Sequence, residues 1–169
     1  MEKSIEEVTK FFKTVEKKLS SQKWFKEGRW QTSVHPFPSK NPEAITFHVT
    51  KKHWLNEDRK GIHVESYLYL NPKKRKKSNV AIHIFHHDYI PGTKIKRIAF
   101  SKPLVDEVYK EVSSWKGYKF RVGKYGQQPF SKDLNGTHPE FVAELTDEAS
   151  RICIHLGPAV DRWLKKILN

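Results

Sequence analysis

Apolar residues recur near the start of the chain at alternating spacings of three and four: Ile5, Val8, Phe12, Val15 and Leu19, with lysines and glutamates between them. A helix gathers such positions on one face, so the pattern predicts an amphipathic helix packed on a sheet. Ser4 stands where the first turn needs a cap, and Glu7, three residues on, can return the bond as a capping box. The same spacing suits a coiled coil, but the run is shorter than such an assembly needs.

From Trp30 to His87 the period drops to two. Four segments, RWQTSV, AITFHVT, GIHVESYLYL and NVAIHIFHH, read as strands. Prolines in the first connector, HPFPSKNPE, predict no regular pairing there. Consecutive strands with short links usually pair, so an antiparallel meander is the simplest topology. Next comes SKPLVDEVYKEVSSWKG, a second helix with Ser101 as cap, Pro103 in its first turn, and Leu104, Val108, Val112 and Trp115 on its apolar face. YKFRVGKYG alternates and predicts another strand, whereas GQQPFSKDLNG reads as an irregular loop. A second capping box, THPE, opens a C-terminal helix with Ala149, Cys153, Leu156, Val160, Trp163 and Ile167 in register, kinked or split at Gly157-Pro158. The chain, residues 1–169, is thus expected to form a single α+β domain: a mainly antiparallel four- to five-stranded sheet with helices packed on one face, in the order α-β-β-β-β-α-β-α.

Alternation also sorts the strand residues onto two faces. Ile45, Phe47 and Val49, then Ile62, Val64, Leu68 and Leu70, then Val80, Ile82 and Ile84 share the face expected to meet the helices. The other face takes Thr46, His48 and Thr50, then His63, Glu65, Tyr67 and Tyr69, then Ala81, His83, Phe85 and His87. His86 falls on the core side and reads as structural. Core residues must oppose core residues, so even positions pair with even. Pairing Leu70 with Val80 sets Tyr67 opposite His83 and His63 opposite His87; a two-residue shift sets Glu65 opposite His83. In the bland alternative a further helix covers this face and the histidines are interior.

Charge changes the picture. Lysine and arginine number 32 against 19 aspartates and glutamates, a formal net charge of +13, more than solubility requires. The strand connectors frame the histidine and tyrosine face with Lys51, Lys52, Arg59, Lys60, Lys94, Lys96 and Arg97 at one end and Lys73, Lys74, Arg75, Lys76 and Lys77 at the other. Cations neutralise phosphates while exposed rings stack on bases, so this frame with Tyr67, Tyr69, Phe85, His48, His63, His83 and His87 predicts a nucleic-acid-binding surface. The run PKKRKK also fits a nuclear-import signal, a pattern of low specificity.

For chemistry, His63, Glu65, His83 and His87 hold both an acid-base pair and metal-ligating atoms, which makes a phosphodiesterase or nuclease the alternative function. An adaptor for an acidic protein is the third. No phosphate loop, dinucleotide fingerprint or serine-hydrolase elbow is present, and no cofactor or metal is assigned. Cys153, the single cysteine, excludes an internal disulfide and predicts no disulfide-linked partner. With no apolar run long enough to span a bilayer and no signal-peptide core, a cytoplasmic protein without a membrane partner is expected, or a nuclear one in a host with a nucleus.

Overall fold

The computed structural model describes residues 3–71, 73, 77–137 and 139–169. The first helix, α1 (Ile5–Ser20), forms as its periodicity dictates and carries the complete capping box between Ser4 and Glu7. It buries Val8, Phe12, Val15 and Leu19. A short helix that the sequence does not announce, α2 (Lys23–Glu27), follows it.

Six strands then build one sheet: β1 (Trp30–Phe37), β2 (Ala44–Lys51), β3 (His63–Tyr69), β4 (Lys77–His83), β5 (Tyr118–Phe120) and β6 (Phe130–Asn135). Every pairing is antiparallel, and the order across the sheet is β1-β2-β3-β4-β6-β5. Two further helices are α3 (Ile98–Ser113) and α4 (Phe141–Leu168). The order of the main elements is α-β-β-β-β-α-β-β-α, one strand more than expected. That strand is β6, inside the segment read as a loop.

Other boundaries also move. β1 continues through Pro36, although prolines were expected to end it. Phe37 turns its carbonyl inward to the Glu43 amide at 2.9 Å, so by alternation Pro36 faces the outer edge, where a missing N–H costs no ladder bond. α3 begins a turn before Ser101, which is therefore buried within the helix and donates to the Tyr125 carbonyl at 2.6 Å instead of capping. Thr137 does not cap α4 either: its hydroxyl donates to Asn135 Oδ1 at 2.8 Å, and the cap position is Glu140. α4 runs through Gly157-Pro158 as one helix. A Cβ on Gly157 would stand 3.0 Å from the Trp30 ring, so glycine lets α4 approach β1.

The apolar face of the sheet is the one expected. Ile45, Phe47, Val49, Ile62, Val64, Leu68, Val80, Ile82 and Ile84 are all buried. Phe12 of α1 lies parallel to Phe47, with ring centroids 5.6 Å apart. Burying a side chain of this size contributes about 1.5–3 kcal/mol. Helix contacts reach the sheet through this one face: Thr32 donates to Glu16 of α1, Trp30 abuts Gly157 of α4, and Lys132 pairs with Glu148 of α4. No helix among the described residues packs on the opposite face.

Parity of the β3–β4 pairing holds, but the register differs from both alternatives. His63 opposes His83, Val64 opposes Ile82 and Glu65 opposes Ala81. β4 starts at Lys77 and stops at His83, because the chain then turns off the sheet. Phe85 adopts φ of 39° and is fully buried, with its ring 5.5 Å from Phe100 of α3. It belongs to the core and not to the histidine face.

Candidate functional site

The face without helices carries a row of imidazoles crossing four strands. His35 of β1 meets His48 of β2 at 5.8 Å between centroids; His48 stacks on His63 of β3 at 3.9 Å; His63 stacks on His83 of β4 at 4.6 Å; and His86 lies beyond at 6.3 Å. Alternation puts them there: each strand contributes the residue that its apolar neighbours force to the far side. His48 and His63 are buried despite the absence of a covering layer, since the neighbouring rings and the loop before β3 enclose them.

That loop orients two of the rings. Asn56 Oδ1 accepts from the Gly61 amide at 3.0 Å and lies 2.9 Å from His63 Nδ1. An amide oxygen only accepts, so His63 Nδ1 bears the hydrogen. By the same argument His83 Nδ1 donates to the Gly61 carbonyl, 3.3 Å away. One loop therefore places a hydrogen on Nδ1 of both rings and leaves Nε2 of each turned away from it. His63 Nε2 faces Glu65 Oε2 at 3.4 Å, and His48 Nε2 faces the same oxygen at 4.0 Å. The other carboxylate oxygen accepts from Gln128 Nε2 at 2.6 Å.

Burial and mutual proximity tune these groups. Burial and then the His63 charge push the His48 imidazole down to about 2, against the opposing pull of Glu65. Burial and His63 likewise push His83 down to about 4. Burial alone would raise the Glu65 carboxyl, but the hydrogen bond and charge of His63 hold it at about 2. His35 is lowered by burial, then by the charges of Arg59 and His63. At neutral pH the site thus presents neutral imidazoles at positions 48 and 83 beside an ionised carboxylate.

Beside this row lies an open cleft of about 520 Å³, walled by Glu65, His83, Arg97, Arg121, Gly123, Gln127 and Gln128. Bonds that hold the 121–128 segment there include those of Gln127 with the end of β4: the Ile84 amide donates to the Gln127 carbonyl, and Gln127 Nε2 donates to the His86 carbonyl, both at 2.6 Å. Arg97 Nη1 donates to the carbonyls of Phe85 and His87 at 3.2 Å each, which fixes the chain where it leaves β4.

The structure brings His48, His63, Glu65 and His83 together and leaves other candidates outside. His87 projects from the turn, exposed, with its ring near His86 alone among the described rings; His86, expected to be structural, is the one that extends the row. Lys51 points to the helix side, where it pairs with Asp161 at 2.8 Å and lies over Trp30. Lys52, Arg59, Lys60, Lys73, Lys77, Lys94 and Lys96 are exposed, Arg97 is half-buried, and Tyr67 and Tyr69 are half-buried edge to face at 5.5 Å. Lys74, Arg75 and Lys76 lie outside the described residues. Asn56, Gly61, Arg121, Gln127 and Gln128 were missed, being loop residues without periodicity. His35 was missed because prolines masked the alternation Gln31, Ser33, His35. Cys153 is a buried thiol raised by desolvation, a packing residue.

Comparisons with protein families, characterised proteins and solved structures give no match for this chain.

Proposed function

We propose that the protein binds nucleic acid across the sheet face that carries no helix, with phosphates received by the adjoining cleft. The observation that carries this reading is that Arg97 and Arg121 line one cleft together with His83 and Glu65. Guanidinium groups match phosphate geometry, and the net charge of +13 supplies the long-range attraction. Arg59, close enough to His35 to lower its pKa, extends the cationic rim along the face. Tyr67 and Tyr69 offer ring surface for stacking. Labelled single- and double-stranded RNA and DNA, titrated at two salt concentrations, test the proposal. Arg59→Ala and Arg121→Ala are each expected to weaken binding across sequences and to reduce the salt slope by about 1. Affinity that is independent of salt, or unchanged in both variants, would sink it.

Cleavage of a phosphodiester is a second reading, favoured by a neutral His83 beside the ionised Glu65 in the same cleft. A neutral imidazole can accept a proton from an attacking hydroxyl. The same titrations, followed over time on a denaturing gel, separate binding from turnover, and His83→Gln is expected to abolish only the latter.

A further inference from the structure

We propose that His48, His63 and Glu65 form a binding site for a divalent transition cation of the zinc type. One donor atom from each lies within 4.8 Å of the other two. A four-coordinate zinc ion with bonds of about 2.0–2.1 Å sets adjacent donors roughly 3.4 Å apart. The His63–Glu65 separation of 3.4 Å already has that spacing, and the His48–Glu65 separation of 4.0 Å is close to it. The two rings are nearly parallel, 22° between planes. Convergence of their lone pairs therefore needs each to swing about its Cβ–Cγ bond, a torsion with a broad minimum.

A separate observation points to a ligand. His48 is only 6% exposed, and its Nδ1 is enclosed without a hydrogen-bond partner, while its Nε2 stands 4.0 Å from Glu65 Oε2. Buried polar atoms are rarely left so. A cation held by His48 together with His63 and Glu65 gives this enclosed imidazole a polar partner. The surroundings fit too: His63 Nδ1 donates to Asn56 Oδ1, and the far oxygen of Glu65 is held by Gln128, the kind of outer contacts that orient metal ligands. Two imidazoles and one carboxylate suit zinc and leave a fourth position. Since Glu65 lines the cleft, that position is the one a water or a bound ligand takes from it. The inference does not depend on nucleic-acid binding.

The test uses the full chain, stripped with a chelator and titrated with Zn2+ by calorimetry and with Co2+ by visible absorption. One saturable ion per chain is expected. Glu65→Gln, which keeps the side-chain size, and His48→Phe, which keeps a ring in the stack, are each expected to lose at least about tenfold in affinity, and Asn56→Ala about 10- to 100-fold. His155→Gln, at an exposed histidine on α4, should leave binding unchanged. Circular dichroism reports whether each variant folds. Absence of stoichiometric Zn2+ and Co2+ binding by the unaltered chain would overturn the proposal whatever the variants do. So would undiminished binding by folded Glu65→Gln and His48→Phe, or loss of the ion in His155→Gln.

Discussion

A side chain at Gly61 would collide with the backbone carbonyl of Leu55, which itself sits in the left-handed region at φ 56°. The obstacle is backbone on both sides, so no rotamer relieves it. This close approach lets the Gly61 amide reach Asn56 and the Gly61 carbonyl receive His83. Gly61→Ala is accordingly expected to destabilise the fold by about 1–3 kcal/mol. Imidazole NMR signals of His63 and His83 should shift while that of exposed His155 stays in place. Unchanged urea midpoints would show that the loop gives way more easily than its packing implies.

Phe85 and Tyr67 were expected on the same face, and the structure separates them. Phe85→Ala should cost about 3–5 kcal/mol, because its ring is fully enclosed against Phe100. Thermal or urea unfolding measures this directly, and nucleic-acid affinity of the folded fraction should be unaltered.

Tyr67→Ala and Tyr69→Ala are expected to behave in the opposite way. Both rings are half-buried on the face without helices, so each loss should weaken single-stranded nucleic-acid binding by about 1–3 kcal/mol. Fluorescence anisotropy with a labelled oligonucleotide gives the comparison. Equal affinity in both variants would remove base stacking from the binding scheme.

Asp161 makes stability depend on pH. Burial alone would raise its carboxyl, but hydrogen bonds from Lys51, Trp54 and His53 outweigh that and hold it below the usual carboxylate range. A depressed folded-state pKa contributes stability that is fully present above the unfolded value of roughly 3.9 and is lost as pH falls through the folded value. Asp161→Asn should therefore be less stable than the unaltered chain at about pH 5, with the difference shrinking toward about pH 2.5. A gap that stays constant over this range would place the effect in packing.

The apolar face was legible because β2, β3 and β4 alternate cleanly, and a strand that puts Phe47 inward must put His48 outward. β6 was not. Its inward residues are Phe130, Lys132 and Leu134, and the lysine breaks the apolar alternation. Lys132 is tolerated there because Glu148, 2.7 Å away, and Glu144, at 3.5 Å, neutralise it against α4. Tyr118 also donates to Glu148, at 2.9 Å, so a charged cluster supplies what apolar contact supplies elsewhere. Such a partner lies far along the chain, where local pattern cannot show it. Register escaped for a related reason: nothing local says that Phe85 will leave the strand to meet Phe100. At the site, the histidines were visible through parity, whereas Asn56, Gly61 and Gln128 act by loop geometry that no period encodes.

Pro36 on the outer side of β1 bears on how the molecule meets other chains. Among the described residues the sheet is bordered by β1 on one side and on the other by β5, which spans only Tyr118–Phe120. A foreign strand approaching β1 finds a missing amide donor at Pro36, and one approaching β5 finds three residues to grip. Lateral growth of the sheet, the usual route to fibrils and to strand-exchanged pairs, is poorly templated at both borders.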